Sequence, residues 1–538
     1  MRKYKRRMKR LAALVAGAAA AGVALTPAKG QLLGQNLFPA NNPWNQNISG
    51  APVASNSASI IAAIKGTTSI HPDWGTDSPT NGSSPLYGIP FNIVHGNSTA
   101  KISVIIDNYP GESDIIAAPI PANAVIEGDF QNGPNTNGPG YNTGQRGDSH
   151  LLVWDEDNNI AYEFYGAARP SDTNVISEAS HTDGQWHAAQ ETVWYFTTND
   201  FRTLGYTSAD AAGLSVLAGL VRPDEGLPVS QGGQGAINHA LRMTLPKSIV
   251  SDQYIYPASH IVTAPGTLPF GSRLRLRNNS TVNLLISTMG PESQIVAHAM
   301  QQYGLILADI GSSMYVTGAS AAVNATNGLS LVWDMNDILG GLEQLTATNF
   351  DVVNLTPAVT NLSHSSGAAG TPLTINGYNF SGAAGHLSVF FGTNVASAPI
   401  VVSDSQISVV VPAGSGTVDV TVQSGLYEPD TDDGPGANVH EPIFGYGTSV
   451  TNAADKFAYV AVPLFQRVLA SGGSFVASGT NNGAPGGTYH VIVSTNLLLP
   501  RTNWTVLTNG SFGSNGNFSF TNALSSTNPD MFYMLRAP

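Results

Sequence analysis

The chain has 538 residues, with 23 Lys and Arg against 36 Asp and Glu, no Cys, and only 11% charged residues beside 57 Gly and 33 Pro. The absence of cysteine removes disulfides, thiol catalysis and Cys-ligated zinc, so stability must come from buried apolar area, which three or four domains of ordinary size can supply. With 42% hydrophobic residues disorder is a poor reading, and abundant Gly, Ser, Thr and Asn suit short strands joined by tight turns.

The first ten residues, MRKYKRRMKR, are cationic and run into an alanine-rich apolar stretch, Leu11–Leu25, that ends near Pro27, Ala28 and Gly30. This is the layout of a secretory signal peptide, and the stretch is shorter than the roughly 20 residues a membrane-spanning helix needs. The expectation is an exported mature chain from about Gln31, secreted, periplasmic or at the cell surface, with no membrane span. It carries 15 basic against 36 acidic residues, a net of −21. That balance disfavours nucleic acid, anionic lipid and polyanionic glycans as partners, because polyanions are held by Lys and Arg.

After the leader (1–30), residues 31–354 hold most of the Trp and His and read as one large β-rich domain with a packed helix. A short helix is expected near Ser57–Lys65. Strands are expected at Ala100–Asp107, Ala124–Asp129, His150–Trp154, Ile160–Tyr165, Thr192–Phe196, Ala240–Leu245 and Ser272–Leu276, each bounded by Gly, Pro, Asn or Asp. The sequence DEDNN between two of them predicts a hairpin. A two-residue loop at Asp157–Asn158 or Asn158–Asn159 makes paired positions sum to an odd number and puts His150, Leu152, Glu163 and Tyr165 on one face. The loop Gln131–Gly147 is too long for a plain connector and is either mobile or part of a binding surface. Pro291 can open a helix along which Val296, Met300, Tyr303 and Leu307 form an apolar stripe.

Residues 355–445 read as a second domain. The run TPAVTNLSHSSGAAGTPLTINGYNF, then SVFFGT and DSQISVVVPAGSGTVDVTV, resembles an IPT/TIG domain over Thr356–Val422, carried by Pro357, Gly367, Gly370, Gly377, Phe380, Gly392, Pro412 and Gly416. The resemblance implies an immunoglobulin-like sandwich acting as a spacer or interaction module, and the alternation of Val418, Val420 and Val422 gives it one buried face. An acidic loop, Glu428–Gly436, follows. Residues 456–538, with GTYHVIVSTNLLLPRTNWTVL, GNFSFTN and PDMFYMLRAP, resemble the carboxy-terminal β module of many secreted verrucomicrobial proteins. Alternation at Tyr489, Val491 and Val493, and at Phe518 and Phe520, predicts a small sandwich.

No Walker loop, G-x-S-x-G elbow, H-E-x-x-H or full dinucleotide fingerprint occurs, so nucleotide, esterase and zincin chemistry are unsupported. Functional candidates fall in the first domain. Its segments HPDWG (His71–Gly75), YGIP (Tyr87–Pro90), GLVRPDEG ahead of INHALRMT, and YGLILADIGS (Tyr303–Ser312) resemble a broad set of secreted bacterial and fungal proteins with a G-x-I-x-H-A-L motif, a resemblance that transfers no catalytic residue.

The leading hypothesis is hydrolysis of a neutral extracellular polysaccharide. Glu163 with Asp224 or Glu225 would supply the two carboxylates that glycoside cleavage needs, and His150 and His239 would orient substrate or tune an acid. Trp186, His187, Arg222 and Arg242 are candidate substrate contacts. Each has a structural alternative: a satisfied His150–Glu163 pair on a sheet face, or an Arg222 ion pair tying a loop. Strand alternation puts His239 and Arg242 on opposite faces, so one of the two is structural. A non-catalytic surface or matrix protein that binds glycans or neighbouring cells is the alternative from another class. A metal-dependent enzyme using His150, His187, His239 or His260 with a carboxylate is the third. No cofactor is expected. Calcium enters only through Asp155, Asp157 and Asn159, where Ile160 stands in place of the required Gly, and through Asp430, Asp432 and Asp433, which read more simply as a solvated linker.

Overall fold

The computed structural model describes residues 30–75, 88–130, 134, 148–172, 183–320, 331–381, 387–424, 447–460, 463–481, 487–524 and 530–536. Residues 1–29, most of the Gln131–Gly147 loop, Tyr87 and the acidic loop with Asp430, Asp432 and Asp433 lie outside these. The chain is mostly β and multidomain.

Two sheets organise the first domain. A six-stranded sheet runs in the order Phe350–Val352, Arg273–Leu276, Leu305–Ile310, Leu241–Leu245, Tyr315–Thr317, His71–Asp73, and a four-stranded sheet in the order Phe91–Val94, Leu151–Asp155, Ile160–Tyr165, Gln190–Tyr195. Leu152, Trp154 and Trp194 of the smaller sheet join the large core that also holds Leu241, Met243, Ile306 and the helix residues Val296 and Met300. Leu151, Val153, Tyr162 and Phe164 face a second core with Ile120, Ile126 and Trp186. Both faces of Leu151–Asp155 are therefore covered, which is why that strand reads as a continuous apolar run.

The hairpin keeps the odd-sum register, with Leu152 opposite Glu163 and Asp155 opposite Ile160. Its loop has four residues, Glu156–Asn159, centred on Asp157–Asn158. The Asp155 carboxylate holds it, accepting from the backbone N–H of Asp157 (3.1 Å) and from Asn158 Nδ2 (2.7 Å).

Three expectations change. Residues Ala124–Asp129 form no strand, because the Asn92 side chain does a neighbouring strand's work: its Oδ1 accepts from Val125 N (2.8 Å) and its Nδ2 donates to Val125 O (2.9 Å). The expected helix forms as Pro291–Gln302, but Leu307 belongs to the next strand. Gly304 stops the helix with φ +75°, where an added Cβ would lie 2.6 Å from the Leu274 carbonyl oxygen. The second domain also reaches past residue 445, since Lys456–Tyr459 pairs with Thr417–Ser424 and Phe457 is buried with Val420 and Val422.

That second domain is a two-sheet sandwich. Gly370, Gly392 and Gly416 have positive φ, whereas Gly377 serves close approach, its Cβ position lying 1.9 Å from the Ala358 carbonyl oxygen. The last module has two three-stranded sheets around Ala477, Tyr489, Val491, Phe518 and Phe520. No helix among the described residues is long and apolar enough to cross a membrane.

Replacing Asn92 by Ala leaves the half-buried N–H and C=O of Val125 without their partner. Asn92→Ala should lower the unfolding free energy of the first domain by about 3 kcal/mol in urea titrations, and an unchanged midpoint would show that water replaces the amide.

Candidate functional site

Register in the six-stranded sheet builds a polar face. Thr244 lies opposite Tyr315, and Tyr315 and Thr317 lie opposite His71 and Asp73, so these side chains share one side with Arg242. On the other flank the strand Leu305–Ile310 pairs Leu307 with Met243 but Asp309 with Thr244. Ala308 is the extra residue of a β-bulge, and it turns Asp309 onto the same face.

Arg242 is buried at the centre. Its Nε donates to Asp210 Oδ2 (2.9 Å), its Nη2 to Asp210 Oδ1, and its Nη1 to Thr317 Oγ1 (2.5 Å), while Asp309 Oδ2 lies 3.9 Å from Nη2. From the start of the smaller sheet comes His150, whose Nδ1 donates to Glu127 Oε2 (2.8 Å) and whose Nε2 donates to the Ala209 carbonyl (3.0 Å). Asp148 stands beside it, exposed, while Asp73, Glu127 and Asp309 are half-buried.

These groups act on one another electrostatically. Burial opposes the charge on His150, but Glu127, which also accepts its hydrogen bond, and Asp148 outweigh that and raise it to about 9. Asp309 is pushed well above the usual carboxylate range by burial first and then by Asp210, against the pull of Arg242. The Asp148 residue reaches the surface, yet desolvation of its carboxyl raises it, with His150 opposing and Glu127 adding to the rise. Asp73 is raised by burial, Glu127 and Asp148, with His71 and Arg242 opposing. The result is a rim of carboxyls, each raised above its ordinary range, above a cation already satisfied from below.

The other residues singled out in the sequence are placed elsewhere. Glu163 is fully buried, and its carboxylate accepts from Trp194 Nε1 (3.1 Å), the Ser215 hydroxyl (2.7 Å) and the backbone N–H groups of Val216 and Leu217 (both 2.9 Å). It anchors the first turn of the short helix Val216–Gly219; burial raises it to about 7 while those donors pull it back. His150 and Glu163 share a sheet face but have no common partner.

Arg222, Asp224, Glu225 and His239 do converge, as a second cluster that is sealed. Arg222 Nη2 lies 2.9 Å from Glu225 Oε1, which is 2.8 Å from His239 Nε2. Arg222 also donates to the carbonyls of Leu217 (2.9 Å) and Gln31 (3.1 Å), and Asp224 Oδ2 accepts from Leu33 N (3.0 Å). Burial raises Asp224 to about 6, with Arg222 opposing. The segment 30–33 closes the cluster, so tightly that a Cβ at Gly30 would lie 2.9 Å from His239. His239 and Arg242 thus belong to different clusters. His187 bridges Asp107 (3.1 Å) and Asp183 (2.9 Å) on the small parallel sheet that contains Trp186. His260 hydrogen-bonds the Ala211 carbonyl (2.8 Å). Among the described residues no three His, Asp or Glu side chains are placed to hold a metal ion.

Five members of the open cluster, Asp73, Glu127, Asp148, Asp210 and Asp309, were absent from the sequence-derived candidates. Asp73 and Asp309 stand in the HPDWG and YGLILADIGS segments and Asp148 beside His150, whereas Asp210 and Glu127 carry no local signal.

Residues 357–434 match the IPT/TIG domain model. The two-sheet sandwich described above is this IPT/TIG domain, and the match covers no other part of the chain. No curated protein matches. Similar solved structures include an auxiliary nutrient binding protein from Bacteroides thetaiotaomicron, 19% identical, covering 20% of this chain and 22% of that one at a TM-score of 0.16. SGBP-B from a complex xyloglucan utilization locus in Bacteroides uniformis is 12% identical, with 27% and 49% covered and a TM-score of 0.15. SGBP-B of the Bacteroides ovatus mixed-linkage glucan utilization locus, in complex with a heptasaccharide, is 13% identical, with 35% and 52% covered and a TM-score of 0.13. The chain spans about half or less of each. At such scores these likenesses carry no argument about its ligand.

The His150 imidazolium gives a pH signature. Its folded value lies above the ordinary 6.5, so its stabilising contribution is complete below about pH 6.5 and is lost as pH rises through 9. Between pH 6 and 10 the wild type should lose about 3 kcal/mol more stability than His150→Gln in urea unfolding, and equal losses would mean that His150 is neutral when folded.

Proposed function

We propose that residues 31–354 handle an extracellular polysaccharide at the acidic face around Arg242, and that they hydrolyse it there. The supporting observation is the meeting of solvent-reachable carboxyls from separate strands and loops, Asp73, Asp148 and Asp309, under mutual repulsion in a partly buried setting. Glycoside cleavage needs one carboxyl that carries a proton to the leaving oxygen and a second, ionised one across the bond. Asp309, raised far above the usual range, takes the role of proton donor. Asp148, the most exposed and next to the His150 cation, takes that of the ionised partner. Arg242, Asp210 and Thr317 position Asp309 from below. In this reading Glu163, Asp224, Glu225, Arg222 and His239 hold the scaffold and touch no substrate.

The chain's acidity, with 36 Asp and Glu, supports a neutral glycan over nucleic acid or a polyanion as partner. The cationic leader supports an exterior location. A second reading, non-catalytic glycan binding, is favoured by the share of chain beyond residue 354 given to an IPT/TIG sandwich and another small β module, the arrangement of an adhesin with spacers.

Reducing-end release from a panel of neutral polysaccharides separates the two. Hydrolysis predicts release by the wild type and at least a 100-fold lower rate in both Asp309→Asn and Asp148→Asn at an unchanged thermal midpoint. Binding to the panel without release supports the second reading, and release unaffected by both substitutions removes the acidic face as the catalytic site.

A further inference from the structure

A concavity of about 590 Å³ opens at the far end of the hairpin that begins at His150. The five-residue strand Leu151–Asp155 separates it from the acidic face, about 17 Å at the usual rise per strand residue. One wall is the amino-terminal hairpin turn at Gly34, Gln35 and Asn36, the other the 157–159 turn, and Phe38 and Phe196 form the floor, packed edge to face at 4.9 Å. Asn159 ties the walls together. Its Nδ2 donates to the Asn36 carbonyl (2.9 Å) and its Oδ1 accepts from Trp154 Nε1 (3.0 Å).

The lining chemistry is specific in charge. It contains no Lys or Arg and one carboxylate, Asp157, so a phosphate, sulfate or uronate would meet repulsion with no compensating cation. Amides supply most of the remaining polarity, and each is held by one half. Gln35 Nε2 donates to the Glu156 carbonyl (2.7 Å), Asn158 Nδ2 to Asp155 Oδ2 (2.7 Å), and Asn36 Oδ1 accepts from Gln31 Nε2 (3.4 Å). The other halves, Gln35 Oε1, Asn158 Oδ1 and Asn36 Nδ2, have no partner among the described residues, and neither has the Thr197 hydroxyl. Two fixed acceptors, one fixed donor and a rotatable hydroxyl over an apolar floor match a ligand rich in hydroxyls and free of charge, and fixing the amides in advance lowers the ordering cost of binding. The volume is that of a small-ligand site.

The geometry points to a second binding site in this cleft, taking a neutral, hydroxyl-rich ligand of the oligosaccharide class and separate from the acidic face. It extends the carbohydrate reading but draws its ligand class from its own amides, so it does not depend on turnover. The cleft holds a glycan chain; the acidic face acts on one.

Calorimetric titration of the full chain carrying Asp148→Asn with cello-, xylo-, manno- and laminari-hexaose tests it. The expected result is saturable binding of at least one hexasaccharide, weakened tenfold or more by Thr197→Trp, which fills the cleft, and severalfold by Asn36→Ala, which removes the free donor. A galacturonate hexamer should bind no more tightly than the neutral sugars. Asn36→Ala, at an exposed position, serves where the bulkier substitution lowers the thermal midpoint. Binding insensitive to both substitutions, or no binding of any of the four sugars, overturns the proposal. Failure of the wild type to release reducing ends would leave it standing if the Thr197→Trp effect persists.

Discussion

A guanidinium buried in a sheet has to be met on every side, and the first domain is arranged around meeting Arg242. Asp210 takes two of its N–H directions and Thr317 a third, so a loop and a neighbouring strand are placed by one side chain. Removing one partner of such a pair leaves a stranded charge and costs several kcal/mol, more than most single contacts in a domain. With the cation neutralised from below, the outer carboxyls Asp73, Asp148 and Asp309 lack a full counter-charge of their own. Their upward shifts follow from burial first and then from that shortage, and they make the face chemically different from an ordinary acidic surface.

The two acidic clusters differ in what lies above them. Around Arg222 the main chain of Gln31 and Leu33 reaches in and supplies hydrogen bonds, so Asp224, Glu225 and His239 are spent on closing the amino-terminal segment against the core. Around Arg242 no distant main-chain segment among the described residues supplies such bonds to the outer carboxyls, and Asp73, Asp148 and Asp309 keep part of their surface exposed. Both hold Arg, Asp, Glu and His, but Arg222, Asp224, Glu225 and His239 come from one short span, whereas the groups around Arg242 are drawn from positions as far apart as Asp73 and Thr317. The path of the chain decides which cluster is sealed.

That difference explains what could be read beforehand. Local patterns were legible: the odd-sum register that sets Leu152 against Glu163, the helix opened by Pro291, the alternation that buries Val420 and Val422, and the resemblance over Thr356–Val422 that the IPT/TIG match bears out. What escaped depended on long-range partners. Three of the four donors to Glu163 come from Ser215–Leu217, more than fifty residues on, and the fourth is Trp194. The bulge at Ala308 that turns Asp309 onto the site face exists only through pairing with Met243 and Thr244. Asn92 replaces a strand at Val125 with a side-chain amide, a substitution that alternation does not register. Polar residues in this chain announce themselves by type, and their roles are assigned by what the fold brings to their open hydrogen-bonding positions.

A crystal structure of the Asp148→Asn chain soaked with a neutral oligosaccharide tests the central claim most directly. The expected result is a sugar seated on the face shared by Arg242 and Thr317, with a glycosidic or hydroxyl oxygen within hydrogen-bond reach of Asp309. Sugar density confined to other surfaces, with Asp309 and Asp73 contacting only water and protein, would contradict it.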